Sequence, residues 1–129
     1  MKHLLLTTIA AVVLVGCGDK GFEGKYYFTI KDRDQLINIK SDGYVIMNEE
    51  KNGNWKIIDD LLVLEFSTDD WRGKHNYIYK FNINNFKWVY YEKNGENWTE
   101  TPTWKSIMKN NYLTKITRAN WQPRQSAIH

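Results

Sequence analysis

Asn76-Tyr77-Ile78-Tyr79-Lys80-Phe81-Asn82-Ile83, followed by Asn84-Asn85 and then Phe86-Lys87-Trp88-Val89-Tyr90-Tyr91-Glu92, decides how the chain folds. In the first run Tyr77, Tyr79, Phe81 and Ile83 recur at every second position, with Lys80 and Asn82 between them; Phe86, Trp88 and Tyr90 repeat the spacing in the second. Successive strand residues point to opposite faces of a sheet, so a period of two marks a strand with one buried face. The Asn-Asn pair between the runs suits a turn, because Asn tolerates positive φ. The two runs are therefore expected to be neighbouring antiparallel strands.

Working toward the N-terminus, the same pattern repeats at intervals of about ten residues, the spacing of an all-β barrel or sandwich. Leu62, Leu64 and Phe66 alternate within Leu61 to Ser67, which meets Trp55 to Ile58 across Asp59-Asp60. Lys51-Asn52-Gly53 reads as a turn, and Ser41-Asp42-Gly43 joins Gln35 to Lys40 with Tyr44 to Asn48; Asn-Gly and Asp-Gly are strong hairpin signals. Lys25 to Ile30 is followed by the charged turn Lys31-Asp32-Arg33-Asp34. Thr68 to Lys74 reads as a longer polar loop, and Lys93-Asn94-Gly95 as another tight turn. Further on, Pro102 and Thr103 are suited to start a short helix near residues 103–110, and Tyr112 to Thr117 reads as a closing strand. Asn120 to His129 has few apolar residues and is expected to be loosely held.

Strands linked hairpin to hairpin make a meander, whose two raw edges invite aggregation unless the sheet closes. The expected fold is thus all-β: an antiparallel up-and-down meander of about seven or eight strands closing into a small barrel, with an open β-sandwich as the alternative.

The N-terminus carries a different kind of information. Lys2 precedes an apolar run from Leu4 to Val15, too short for the about 20 residues of a membrane span. A basic start, a short apolar segment and small residues before a cut are the layout of a secretory signal peptide. The run ends in Leu14-Val15-Gly16-Cys17, which resembles the lipobox of bacterial lipoproteins at all four positions. The resemblance implies cleavage between Gly16 and Cys17, a diacylglycerol on the Cys17 sulfur, and acylation of the new amino terminus. Each buried CH₂ contributes about 0.8 kcal/mol, and one chain holds marginally where two or more anchor stably. The partner implied first is therefore a membrane. Gly18, rather than Asp, follows the cysteine. In the lipoproteins it resembles, that implies the outer membrane, facing the periplasm, if the cell has one.

These readings divide the chain into a leader over 1–16, a lipidated cysteine with a short tether over 17–23, a β domain over 24–118 and a tail over 119–129. The six residues from Gly18 to Glu23 reach about 20 Å when extended. Beyond Cys17 there is no cysteine, so no disulfide framework supports the domain. Its stability has to come from packing, for which 6 Trp and 8 Tyr supply large apolar surfaces.

A second resemblance is carried by Gly24-Lys25-Tyr26, by Ile39 and Asp42-Gly43-Tyr44, by Asn52-Gly53-Asn54-Trp55-Lys56-Ile57 and by Leu61-Leu62-Val63-Leu64. Together they are similar to the meander of lipocalin-like domains in bacterial lipoproteins, over most of Gly24 to Glu92. The resemblance implies a small barrel that holds an apolar or amphipathic molecule.

The residues that could carry chemistry are few. His3 leaves with the leader, His129 is terminal and His75 stands alone beside Gly73-Lys74, so no nucleophile and base are paired. Asp32 with Asp34, Glu49-Glu50, Asp59-Asp60 and Asp69-Asp70 fall in expected turns, which Asp favours for backbone reasons. None has the ligand-rich loop of a dedicated Ca²⁺ site. No cofactor, metal or catalytic residue is assigned, and an enzyme is not expected. With 18 Lys and Arg against 15 Asp and Glu, interleaved along the chain, the net charge of +3 offers no clustered basic face for nucleic acid. Trp71, Trp98 and Trp104 fall in or near loops and are the candidate contacts for a ligand or partner, the alternative being that they plug the barrel ends. The expected function is a lipid-anchored cell-envelope binding module for an apolar or amphipathic ligand. The alternative is an interaction or inhibitor lipoprotein that meets an envelope protein through its loop aromatics.

Overall fold

The structure, a computed structural model, describes residues 21–117. The leader, Gly16, Cys17, the first part of the tether and the C-terminal tail lie outside the described residues. Nine strands and one helix follow in order: β1 Gly24–Ile30, β2 Arg33–Ile39, β3 Tyr44–Met47, β4 Lys51–Ile58, β5 Leu61–Asp70, β6 Gly73–Asn82, β7 Trp88–Lys93, β8 Glu96–Asn97, α1 Pro102–Met108 and β9 Thr114–Lys115. They form a single antiparallel sheet in the order β8-β7-β6-β5-β4-β3-β2-β1-β9, curled into a half-barrel. The meander is the one expected, and the sandwich alternative is not adopted. The strand beyond those expected is β8, while β9 falls within the expected closing strand Tyr112 to Thr117; each is two residues long.

Alternation places the core. Tyr26 and Phe28 of β1, Ile37 and Ile39 of β2, Val45 and Met47 of β3, Leu62, Leu64 and Phe66 of β5, and Tyr79 and Phe81 of β6 all point inward and are buried. The interior is filled with rings: the Phe28 centroid lies 5.0 Å from Trp88 and 5.2 Å from Phe81, and Tyr79 lies 5.3 Å from Tyr91. Most of these pairs meet edge to face or tilted, the arrangement the ring quadrupoles favour. Desolvation, the first cause in each case, raises the phenol pKa of Tyr79 strongly and pushes that of Tyr91 up to about 12.

Three expectations about the strands are corrected. Lys51-Asn52-Gly53 is not a turn but the start of β4, and the turn lies at Asn48-Glu49-Glu50 with positive φ at Asn48 and Glu49. Asn48 fixes it: its Oδ1 accepts the Leu36 N–H at 2.8 Å, and its own N–H donates to the Leu36 carbonyl at 2.8 Å. Gly53 is needed for a different reason, close approach to β5, where it pairs with Phe66.

Thr68 to Lys74 is not a loop, because β5 and β6 run on through it to a two-residue turn at Trp71-Arg72. Thr68 pairs with His75 and Asp69 with Lys74. This part of the hairpin projects beyond the core, so neither face is buried and the sequence shows no apolar alternation there.

Phe86, Trp88 and Tyr90 do not share a face. A bulge shifts the β6–β7 register so that Phe81 faces Trp88 while Lys80 faces Tyr90, leaving Val89 as the extra residue. Trp88 and Tyr91 therefore turn inward, whereas Tyr90 meets Lys80 Nζ, 4.3 Å from its ring centroid, on the outer side. Phe86 sits in the preceding turn at φ 62° and packs on Phe22 and Tyr26. Phe22, at the end of the segment read as tether, also meets Trp55, so it covers one end of the core.

The curled sheet is joined by residues 111–113. The Trp88 N–H donates to the Asn111 carbonyl and the Leu113 N–H to the Phe86 carbonyl, both at 2.9 Å, around a bridge between Lys87 and Tyr112. On the other side Thr114 and Lys115 pair with Tyr27 and Tyr26 of β1. Asn111 adds its side chain, its Nδ2 donating to the Thr29 carbonyl at 2.6 Å and to the Ile107 carbonyl at 2.9 Å. The expected helix near 103–110 is α1, with Pro at its first turn. At seven residues it is too short to stand alone and depends on Trp104 and Met108, which it lays against the core.

A Cβ added at Gly53 would run into the Glu65 carbonyl oxygen and stand 2.7 Å from Phe66 Cδ1, whereas one at Gly21 meets nothing within 4 Å. Gly53→Ala should therefore lower stability by about 1–3 kcal/mol in urea unfolding, the usual cost of overpacking. Gly21→Ala should change it by less than about 0.5 kcal/mol.

Candidate functional site

In an up-and-down meander successive turns alternate between the two ends. The start of β1 thus shares an end with the β2–β3, β4–β5 and β6–β7 turns. Contacts between these parts agree: Trp55 Nε1 donates to the Lys40 carbonyl at 2.7 Å, the Ile83 N–H donates to the Asp60 carbonyl at 3.0 Å, and Phe22 packs on both Trp55 and Phe86. The β5–β6 turn lies at the opposite end, at the tip of the two longest strands, 10 residues each.

Trp71 occupies that tip and is 91% exposed, the most exposed of the large apolar residues described. The turn beneath it is tightly organised. Asp70 Oδ1 accepts the Arg72 N–H at 2.7 Å, Asp70 Oδ2 accepts Arg72 Nη2 at 3.0 Å, and His75 Nε2 lies 3.2 Å from Asp70 Oδ1. Gly73 takes φ 117°, a conformation in which a side chain is strained. His75 is thus a member of this turn network and not an isolated residue, with Asn94 Nδ2 3.5 Å from its Nδ1. The Arg72 guanidinium stands 5.6 Å from the Trp71 ring centroid. The side-chain hydrogen bond from Arg72, then that from its backbone N–H, then His75, hold the Asp70 carboxyl at about 2, well below the usual carboxylate range.

The other two candidate tryptophans lie elsewhere. Trp104 projects from α1 onto Tyr91, 4.3 Å between centroids, and onto Trp88 at 6.2 Å. Trp98 is half-buried against the core, and its Nε1 is shielded from solvent with no acceptor among the described residues. The three indoles therefore do not converge: two support the core beside α1, and one stands alone at the hairpin tip.

Surface depressions lie among the described residues as well. A cleft of about 450 Å³ opens between β7 and α1, and a groove of about 270 Å³ runs past Leu36, Asn38 and Ile46 on the outer face beside Ile116. Sequence reading missed the cleft, because Lys87 and Lys109 on its rim are far apart in the chain and meet only through the closure at residues 111–113. Among the described residues no three His, Cys, Asp or Glu side chains are grouped to hold a metal ion, and no helix is long and apolar enough to cross a membrane. The acidic pairs stay apart: Asp59 sits at positive φ in the β4–β5 turn, and Asp34 is buried, accepting from Thr29 Oγ1 at 3.2 Å. No family model, no curated protein and no solved structure matches the chain.

A folded pKa below the unfolded one means that the Asp70 contacts are present above about pH 3.8 and are lost only as pH falls through about 2. A carbon-13 titration of the Asp70 carboxyl should give a midpoint near 2 in the intact protein. Arg72→Ala should move it up toward the usual range. An ordinary midpoint in the unsubstituted chain would contradict the turn geometry.

Proposed function

We propose that this chain is a lipid-anchored cell-envelope protein that works through its surface, docking a partner protein with the β5–β6 hairpin and Trp71 as its anchor residue. The observation that carries this reading is the pairing of a fully presented indole with a turn ordered by Asp70, Arg72 and His75. A fixed backbone lowers the entropy lost when an exposed Trp docks, and Trp and Arg are among the residue types enriched where interface energies concentrate. The filled interior supports a surface role, since rings occupy the space that a lumen ligand would need.

The proposed anchor fits the same geometry. With the leader cut at Gly16 and Cys17 acylated, a short tether would join the membrane to the end of the domain where β1 begins. The hairpin tip would then point away from that membrane, in an outer-membrane protein toward the periplasm. The reading involves no catalytic step. A second reading, the binding of a small amphipathic ligand, is favoured by the cleft between β7 and α1 rather than by the barrel interior.

The test uses the full chain in its own cells, with a photo-crosslinking amino acid at position 71 and, as control, at Ile58, 46% exposed on the opposite end. A discrete adduct at position 71 that is absent at position 58 is expected. It should weaken in a Cys17→Ser background, which also leaves an unprocessed precursor. The same products from both positions would refute the docking role, and normal processing of Cys17→Ser would refute the anchor.

A further inference from the structure

We infer that the cleft between β7 and α1 binds an anionic amphiphile, a small acidic head carried on an alkyl chain. The inference gives the second reading above a location and a ligand class, and it is independent of the hairpin. Trp88, Val89 and Met108 line the cleft, Val89 partly exposed and Trp88 and Met108 buried beneath. Lys87, Lys105 and Lys109 stand around it, against the single carboxylate of Glu100. That carboxylate is already engaged by Lys105 at 3.4 Å. Lys87 and Lys109 have no ion-pair partner among the described residues.

These two ammonium groups come from opposite sides of the closure: Lys87 precedes β7, and Lys109 ends α1. The bond from the Trp88 N–H to the Asn111 carbonyl holds the two segments in register. The cleft is thus a fixed feature of the fold, lined by three lysines to one carboxylate, with Val89 as its accessible apolar side chain. An acidic head answers the lysines and an alkyl chain lies along Val89. The volume of about 450 Å³ falls within the range of small-molecule sites, and is too small for a folded partner.

The same chemistry belongs to a free fatty acid and to an anionic membrane lipid, so two probes separate the sources. Dodecanoate, titrated below its micelle concentration into the isotope-labelled chain from Gly18 to His129 in the absence of detergent, should saturate with one-to-one stoichiometry and shift amides of residues 87–89 and 105–109. Dodecanol, which has the chain without the charge, should bind about tenfold or more weakly. The double variant Lys87→Gln with Lys109→Gln should lose about tenfold in dodecanoate affinity, whereas Lys74→Gln at the hairpin should lose none. Phosphatidylglycerol vesicles are the second probe. Retention by vesicles that depends on Lys87 and Lys109 assigns the site to membrane lipid, and dodecanoate binding without retention assigns it to a free acid. Equal affinity for dodecanol, unchanged affinity in the double variant, or no shifts at the cleft with either probe would overturn the inference. Loss of the Trp71 crosslink would leave it standing.

Discussion

Two backbone hydrogen bonds and one asparagine decide whether the curled sheet is a closed body or an open one. Without the bonds from Trp88 N–H to Asn111 and from Leu113 N–H to Phe86, the start of β7 would face β1 across a gap lined with aromatic rings. Asn111 closes that gap from its own side chain as well, bonding β1 at Thr29 and the end of α1 at Ile107. Each of these groups would be costly to bury unpaired, roughly 1–3 kcal/mol apiece, so the segment is held in one register. The placement of α1 follows from it, and so do the burial of Trp88 and the cleft between them. The remaining edges, β8 and β9, are two residues long, too short to template pairing with another chain.

Much of the sheet was legible because burial leaves a period. Leu62, Leu64 and Phe66, or Tyr79 and Phe81, could not alternate by chance in strands that need one dry face. The failures share a physical cause, which is that a local signal was outweighed by pairing with a distant strand. Asn52-Gly53 has the composition of a turn, yet Asn48 satisfies Leu36 of β2 and moves the turn upstream, leaving Gly53 to make room for β5. Thr68 to Lys74 looks like a loop because strands that project past the core have nothing to bury. The inserted Val89 turns Tyr90 outward and Tyr91 inward, and no periodicity scan of a single strand reports an insertion relative to its neighbour.

The candidate site was only half legible for the same reason. Trp71, Trp98 and Trp104 look alike in sequence, each an indole in a polar neighbourhood. Their separation into one exposed tip and two packed rings depends on whether another element lies over them. The lysines of the cleft were invisible because Lys87 and Lys109 become neighbours only when residues 111–113 join the sheet. The cleft depends on that closure, whereas the hairpin tip is ordered by its own turn network of Asp70, Arg72 and His75.

The most direct test of this account is native-state hydrogen exchange at Trp88 and Leu113, the amides of the closure. If residues 111–113 are part of the cooperative core, both should exchange only through global unfolding, at rates within about tenfold of Leu64 and Tyr79 in the central strands. Exchange orders of magnitude faster at Trp88 and Leu113, with Leu64 and Tyr79 still protected, would show a sheet that opens at this seam and would contradict the closed structure on which the cleft rests.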